Sequence, residues 1–460
     1  MKTYAIIEDG QFYIPVRAVN KRGFYEEEIP NSEKQVICIE EEIRKYDLYN
    51  CCENYLGLDE EVFAFKTWHE NWLNNNINDF SLPIKVEDNL KYKEVLREKL
   101  ENYINELRRP AFIYENRLLK EVENVCDLIL QALNELIEGD IKTADMKVKK
   151  ILKLFEGEPF LISELDKAYP FRGLAPFNEF QNEQYGKEYS EMLREELTFY
   201  RVRTKKKQDG DNISEVNDML HLPYNMRDKA SSMRFSSENL PGLYLGVTTY
   251  MCSQECKWDK EKEDLYTSVF IPNSKGKKYK ILNLTISEAL INGIYNRGAG
   301  YNKRKQQLQI SMLKIFPLII ATSFSIETDE KIKYQYLLSQ SLMRVANECG
   351  IDGIAYLSMK GEDEFQYPQG VNLAIPVIDI SEDKQYSEKC DGFEISRPIK
   401  YQGQGEKNAK SYINKIYKEY NRFGYKVFNS KLKVDGETQF YGDTEYGIFD
   451  NYLVLNIKGQ

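Results

Sequence analysis

Phe199-Tyr200-Arg201-Val202-Arg203 sets two arginines among apolar and aromatic neighbours, a pattern that predicts a β-strand. Two further pieces follow along the chain, Ser231-Ser232-Met233-Arg234-Phe235-Ser236 and then Leu240-Pro241-Gly242-Leu243-Tyr244-Leu245-Gly246. The second piece leads into a predicted helix at Thr248–Cys256, which carries Glu255. This stretch therefore combines strands and a helix with the charged and aromatic residues that a binding site needs.

Four side chains in this stretch suit the binding and cleavage of a dinucleotide. Arg201 and Arg234 can make bidentate contacts to a pyrophosphate. Tyr244 offers a flat face on which an aromatic base can stack. Glu255, eleven residues later, can stabilise the positive charge on a ribose whose glycosidic bond is breaking. A surface salt bridge, a core tyrosine or an exposed helical glutamate would explain each residue singly, but their combination favours a site.

The rest of residues 158–390 shows strand patterns mixed with helices. Beyond the quoted stretch, the predicted strands are 265–271, 280–284, 317–324, 353–358 and 371–377. The polar segment 204–230 predicts a long surface loop, and Gly293–Gly300 predicts a flexible loop that could act as a lid. We expect this region to form one domain with a mixed sheet.

The N-terminal part divides into two regions. Residues 1–88 are mixed, with strand patterns at 4–7 and 35–39. In residues 89–157 apolar positions recur every three or four residues, which predicts a helical hairpin or small bundle. Gly139-Asp140 marks the end of one helix and the start of the next.

The C-terminal residues 391–460 predict a small α+β appendage. The segment 410–422 has an amphipathic pattern, and 448–457, rich in β-branched and aromatic residues, predicts a strand. The expected organisation is therefore 1–88, 89–157, 158–390 and 391–460.

Composition excludes several classes of protein. A net charge of −10 and an isoelectric point of about 5.2 argue against a nucleic-acid partner, because neutralising phosphates needs an excess of lysine and arginine. The longest apolar run, 315–321, is too short to span a bilayer, and no secretory signal is visible, so we expect a cytoplasmic protein. The eight cysteines form no paired CxxC motif and there are two histidines, so no metal site is expected.

The helical region raises one alternative, a ribonuclease of the HEPN type with an Arg-x4–6-His motif. His69 has no arginine four to seven residues before it, and His221 lies outside the helical region. The histidine positions therefore argue against this alternative.

The central segment resembles the RES domain, a family named for its Arg, Glu and Ser and related in fold to ADP-ribosyltransferases. The resemblance covers about 199–377, under half of the chain, and longer members of the family carry a helical N-terminal region. The matching pieces are Tyr200-Arg201-Val202, Met233-Arg234-Phe235-Ser236, Pro241-Gly242-Leu243-Tyr244-Leu245-Gly246 with Glu255, Tyr336-Leu337-Leu338-Ser339-Gln340-Ser341, Asp352-Gly353-Ile354-Ala355-Tyr356 and Gly370-Val371-Asn372-Leu373-Ala374. Met233 and Gly246 depart from the family's glycine and alanine.

The resemblance implies an α+β fold in which a helical N-terminal region precedes an ADP-ribosyltransferase-like mixed sheet. It also implies an NAD+-degrading toxin that cleaves the nicotinamide–ribose bond, with water or inorganic phosphate as acceptor. The implied catalytic residues are Glu255, Tyr244 and Arg201, and the implied NAD+-binding residues are Arg203, Arg234, Ser339 and Asn372. Whether Arg201 or Arg203 binds substrate stays open, and the family serine corresponds to Ser339, to Ser341 or to neither.

Two other functions use the same pocket. The protein could transfer ADP-ribose to a macromolecule, or it could be a non-catalytic module that binds a nucleotide. A toxin also needs restraint, so we expect an inhibitor or antitoxin, another regulatory protein or self-association. The N-terminal region and the C-terminal appendage are candidate surfaces for these partners, and no membrane partner is expected.

Overall fold

The computed structural model describes residues 4–8, 11–13, 35–38, 77–108, 116–171, 197–210, 212–293, 303–326, 332–360, 369–401, 431–434 and 437–458. The chain divides into two compact units. The first takes in Met1–Phe80, Arg97–Cys126 and Ser287–Pro317, and the second takes in Ser81–Leu96, Asp127–Ile286 and Leu318–Gln460. The predicted domain boundaries remain predictions. The prediction of a mixed α+β protein is confirmed, because the chain combines helices with a large mixed sheet.

The described helices account for the apolar periodicity of the sequence. They are α1 Tyr92–Leu107, α2 Asn116–Glu138, α3 Ile141–Leu154, α4 Thr249–Glu255, α5 Glu288–Gly293, α6 Lys303–Thr322, α7 Tyr334–Ala346 and α8 Glu445–Lys458. The helix boundary predicted at Gly139-Asp140 is confirmed. Gly139 takes a positive φ of 88°, and the Asp140 side chain accepts a hydrogen bond of 3.0 Å from the Thr143 N–H, which caps α3.

The described strands are β1 Tyr4–Glu8, β2 Gln11–Tyr13, β3 Gln35–Cys38, β4 Ile84–Val86, β5 Ile162–Glu164, β6 Phe199–Lys206, β7 Gly242–Gly246, β8 Glu263–Pro272, β9 Lys280–Leu284, β10 Phe324–Ile326, β11 Gly353–Leu357, β12 Val371–Pro376, β13 Phe393–Ile395, β14 Ile399–Lys400, β15 Lys431–Val434 and β16 Glu437–Phe440. In the first unit β1 pairs with β2 and β3 in an antiparallel sheet. Tyr103 also belongs to this unit, where its ring packs edge-on against Phe80 and its hydroxyl donates to the Leu313 carbonyl over 2.8 Å.

The second unit is built on a nine-stranded mixed sheet with the order β13-β8-β6-β7-β12-β11-β9-β5, in which β14 also pairs with β8. The pairing of β11 with β9 is parallel, and the other pairings along this order are antiparallel. Apolar side chains from the central strands form a buried core that includes Phe199, Leu243, Phe270, Ile281 and Leu373. The neighbouring strands β6, β7, β12 and β11 therefore bring together the sequence pieces quoted above.

Two predicted strands are wrong. The run 317–324 lies mainly in α6, which continues to Thr322 with Pro317 inside it, and β10 begins only at Phe324. Residues 312–321 are almost all buried, and a helix buried on all sides has no polar stripe that would reveal its period. The run 448–457 lies in α8, where packing of Leu453 against the sheet overrides its β-branched and aromatic composition. The long loop predicted at 204–230 begins only after Lys206, where β6 ends, and contains short 3-10 helices at Val216–Met219 and Tyr224–Lys229.

The C-terminal residues take part in the second unit. β13 and β14 pair with β8, and Leu453 of α8 joins a buried cluster with Tyr200 and Val202 of β6. The predicted amphipathic segment 410–422 and most of the predicted lid, 294–300, lie outside the described residues.

Candidate functional site

A cavity of about 920 Å³ in the second unit contains most of the residues selected from the sequence. Its lining includes Arg201, Arg234, Tyr244, Glu255 and Asn372, which are separated by up to 171 positions in the sequence. The volume lies in the range of about 300–1,000 Å³ that is usual for small-molecule sites. The adjacent strands β6, β7 and β12 place Arg201, Tyr244 and Asn372 beside the same cavity.

Glu255 is held in place by two side chains that lie more than a hundred positions away in the sequence. Its Oε1 accepts a hydrogen bond of 2.6 Å from the Ser358 hydroxyl and one of 3.1 Å from the Asn372 amide. Ser358 directly follows β11, and Asn372 lies on β12 opposite Tyr356 of β11. Both donors are buried, whereas Glu255 itself is exposed at the C-terminal end of α4. The carboxylate is therefore oriented at the cavity wall, with Oε2 free of hydrogen-bond partners among the described residues.

The tight approach between β7 and α4 requires a glycine. A Cβ on Gly246 would lie 2.5 Å from the Cys252 sulfur and 3.0 Å from Oδ1 of Asn372. The glycine lets the chain turn from β7 into α4 while Asn372 stays beside Glu255. The glycine at this position therefore has a steric reason in this chain.

We expect Gly246→Ala to lower the free energy of unfolding by about 1–3 kcal/mol, the usual range for an added group in a packed site. Urea denaturation would measure the change. Gly210→Ala is the matched control, because nothing lies within 4 Å of the added Cβ there. Equal stability of the two variants would contradict this explanation of Gly246.

Arg201 and Arg203 form a cationic pair that has no ion-paired carboxylate within the described part of the chain. They lie two residues apart on β6, so their side chains leave the same face of the strand. The Arg201 Nη1 donates to the Tyr244 carbonyl over 2.9 Å, and the Arg203 Nη2 donates to the Leu220 carbonyl over 2.8 Å. Burial and then the charge of Arg203 lower the pKa of Arg201 to about 10. Of the two, Arg201 lines the cavity and Arg203 is absent from its lining.

Arg234 is anchored by the protein more fully than Arg201. Its guanidinium donates to the Thr322 and Leu357 carbonyls, each over 2.9 Å, and to the Ser323 hydroxyl over 3.2 Å. It also lies 4.9 Å from the centre of the Tyr356 ring. The three hydrogen bonds use three of the five N–H groups of the guanidinium. Arg234 therefore stabilises the cavity wall and has two N–H groups left to donate to a ligand.

The ring of Tyr244 has a fixed orientation in the cavity. Its hydroxyl donates to the Ser236 hydroxyl over 2.9 Å, and its side chain is half-buried. Burial raises the pKa of Tyr244 above its usual value, although the bond to Ser236 acts in the opposite direction. Tyr244 therefore stays neutral at physiological pH and offers a stacking face to a ligand.

The charge of the cavity is opposite to that of the whole chain. Glu255 is the single acidic residue among the described lining residues, and the cations among them are Arg201, Arg234, Lys229, Lys257, Lys333 and Lys360. Within the described part of the chain, none of these six cations forms an ion pair with a carboxylate. A chain with a net charge of −10 thus concentrates unpaired positive charge in this cavity, which favours an anionic ligand.

Ser339 lies apart from these residues. Its side chain is fully buried in α7, its hydroxyl has no hydrogen-bond partner among the residues that the structure describes, and it is absent from the cavity lining. Ser341, the other serine considered, donates to Asp145 of α3 over 2.5 Å. The serine that contacts Glu255 is Ser358, which the sequence indicated only as the polar end of a predicted strand.

Residues beyond the expected set also line the cavity. Tyr356, Tyr336 and the lysines were not selected from the sequence, since aromatic residues in a strand or helix usually belong to the core. Among the described residues no group of three or more histidine, cysteine, aspartate or glutamate side chains could hold a metal ion. None of the described helices combines the length and the apolar character needed to cross a bilayer.

No protein-family model matches this chain, and no solved structure matches it. A protein of Bacillus subtilis (strain 168) described as "Putative toxin YopC" is 26% identical over 211 residues. The alignment covers 44% of this chain and 46% of the relative, so it spans less than half of either protein. This likeness is a weak indication of a toxin family, and membership of the RES family stays a prediction.

Proposed function

We propose that the cavity binds NAD+ and cleaves its nicotinamide–ribose bond. The observation that carries this proposal is the position of Glu255, oriented by Ser358 and Asn372 at the wall of a cavity. The same cavity contains the guanidinium of Arg201, which forms no ion pair with any described carboxylate. A fixed carboxylate and an unpaired cation suit the two charged parts of NAD+, its ribose at bond cleavage and its pyrophosphate.

The binding part of the proposal rests on charge. The pyrophosphate of NAD+ is anionic, and Arg201 has no carboxylate partner in the described structure to compete with it. Arg201 is half-buried, which strengthens a contact to phosphate because its surroundings are poorer in water than the open surface. Arg234 and the four lysines add to the positive potential that attracts such a ligand.

The chemical part rests on Glu255. As the bond between nicotinamide and ribose C1′ breaks, nicotinamide leaves with the bonding electrons and the ribose acquires oxocarbenium character. The Glu255 carboxylate stabilises this charge, while Ser358 and Asn372 fix its orientation before the reaction begins. Water then bonds to C1′ and releases a proton, which gives ADP-ribose; inorganic phosphate as the acceptor would give its phosphorylated form.

The toxin role is the second part of the proposal. The Bacillus subtilis relative is described as a toxin, and depletion of NAD+ would be toxic to any cell. An enzyme of this kind needs restraint, so we propose that an inhibitor protein or self-association keeps it inactive until it is required, as in a toxin–antitoxin pair or in defence against phage.

Incubation of the purified chain with NAD+, with product separation by chromatography, tests the activity. We expect free nicotinamide together with ADP-ribose, or with its phosphorylated form when phosphate is present. Nicotinamide with a modified macromolecule would identify an ADP-ribosyltransferase instead. Saturable NAD+ binding without any nicotinamide would identify a non-catalytic nucleotide-binding module.

The two serines give a matched pair of variants. We expect Ser358→Ala to lower kcat by about tenfold, since it removes one of the two hydrogen bonds that orient Glu255, and a bond to a charged group contributes about 1.5–3 kcal/mol. Ser339→Ala should leave kcat within about twofold, because Ser339 is outside the cavity. Steady-state nicotinamide release measures both. A larger loss in Ser339→Ala than in Ser358→Ala would favour the serine selected from the sequence.

A further inference from the structure

A carboxylate outside the cavity holds the helix that carries Glu255. Asp450 of α8 is fully buried, and its Oδ2 accepts a hydrogen bond of 3.1 Å from the Thr249 N–H. The Thr249 hydroxyl also donates to Oδ1 of Asp450. Thr249 is the first residue of α4 and Glu255 is the last, so Asp450 binds this short helix at the end opposite Glu255.

Further hydrogen bonds also fix the start of α4. The Thr248 side chain accepts from the Met251 N–H over 3.2 Å and donates to the Gln369 carbonyl over 3.0 Å. Asp450 provides the acceptor for the Thr249 N–H, which has no partner within α4. A negative charge at this end of a helix is also favoured by the helix dipole.

Asp450 is an unusual residue to bury. The Tyr441 hydroxyl donates to its Oδ2 over 2.5 Å, and among the described residues no lysine, arginine or histidine forms an ion pair with it. Burial raises the pKa of Asp450 to about 7, against the opposing effect of its bonds to Thr249 and Tyr441. A buried carboxylate without a nearby cation destabilises the folded state. If position 450 served only packing, an apolar residue there would give a more stable protein.

We infer that Asp450 is a positioning residue for Glu255, which makes the C-terminal helix α8 part of the candidate active site. The helix α4 is short and regular, so its two ends are about 9 Å apart and move together. Loss of the contact at Thr249 would let α4 shift or fray, and Glu255 would then leave the position in which Ser358 and Asn372 orient it. The catalytic consequence rests on the proposed cleavage of NAD+.

Steady-state kinetics of the full chain test this inference. We expect Asp450→Ala to lower kcat by about tenfold to a hundredfold, the scale of effect that a small displacement of a reacting group produces. The KM for NAD+ should stay within about twofold, because Arg201 and Arg234 are held by other contacts. Asp450→Asn keeps an oxygen acceptor for the Thr249 N–H and should recover most of kcat.

A variant of the same helix separates positioning from general destabilisation. Leu453→Ala removes a buried side chain of α8 that packs in the same apolar cluster as Cys252 of α4 but leaves the hydrogen bonds of Asp450 to Thr249 in place. Below its melting temperature this variant should keep kcat within about threefold. A kcat for Asp450→Ala equal to that of the wild type would overturn the inference. A matching loss in Leu453→Ala, or a failure of Asp450→Asn to recover activity, would also overturn it.

Amide hydrogen exchange gives a readout that does not depend on the reaction. In Asp450→Ala, the amides of α4 should exchange about tenfold faster or more relative to those of β12, while Asp450→Asn keeps the wild-type ratio. Unchanged exchange in α4 would overturn the anchoring role. If the wild-type chain releases no nicotinamide but Asp450→Ala loosens α4, the proposed function fails and the anchoring of α4 by α8 stands.

Discussion

Replacement of Glu255 by glutamine should lower nicotinamide release from NAD+ by about a hundredfold or more. Glutamine has nearly the same shape, and its oxygen can still accept the hydrogen bonds from Ser358 and Asn372. It lacks the negative charge that would stabilise the developing oxocarbenium ion, and loss of one key electrostatic group of this kind costs about 2.7–4 kcal/mol. The affinity for NAD+, measured by calorimetry with the variant, should change less than about threefold.

Glu261→Gln is the matched control for this substitution. Glu261 is exposed and lies six residues further along the chain, outside the cavity lining, so its replacement makes the same chemical change without effect on the reaction. A Glu255→Gln variant that keeps more than about a third of the wild-type rate would show that the carboxylate takes no part in bond cleavage.

Replacement of Arg201 by glutamine should weaken NAD+ binding by about tenfold to a hundredfold. Hydrogen bonds to charged groups contribute about 1.5–3 kcal/mol, and a contact of the half-buried Arg201 guanidinium with a phosphate is of this kind. The variant should fold normally, because the substitution leaves no described carboxylate without its cation and relieves the repulsion between Arg201 and Arg203. We therefore expect the melting temperature to stay within a few degrees of the wild type or to rise.

The variant Arg203→Gln tests whether Arg201 or Arg203 binds the substrate, which the sequence left open. Arg203 is outside the cavity lining and donates to the Leu220 carbonyl, so its replacement should change the dissociation constant of NAD+ less than about threefold. Calorimetric titration of both variants measures the difference. A larger loss of affinity in Arg203→Gln would assign the substrate phosphates to Arg203.

Much of the local structure could be predicted from the sequence, because it depends on local patterns. The strands at Phe199–Lys206, Gly242–Gly246 and Val371–Pro376 follow from apolar and β-branched residues between polar breaks. The helices of 92–154 follow from apolar residues at helical spacing. The strand predictions at 317–324 and 448–457 were wrong, because these runs lie mainly in helices. Packing against the rest of the protein, and not the local sequence pattern, determines their conformation.

The candidate site could be predicted only where a motif placed its residues close together in sequence. Arg201, Arg234, Tyr244 and Glu255 belong to one stretch, and the structure brings them to one cavity. Ser358 lies 103 positions from Glu255, and its contact depends on the pairing of β11 with β12, which no local pattern encodes. The same limit applies to Asp450, whose contact with Thr249 spans 201 positions.

The decisive experiment for the proposed cleavage is the release of nicotinamide from NAD+ by the purified chain, measured beside Glu255→Gln. We expect a steady release by the wild type and a loss of about a hundredfold or more in the variant, with NAD+ bound by both. Equal release by the two proteins, or NAD+ binding by a folded wild type that frees no nicotinamide with or without phosphate, would contradict it.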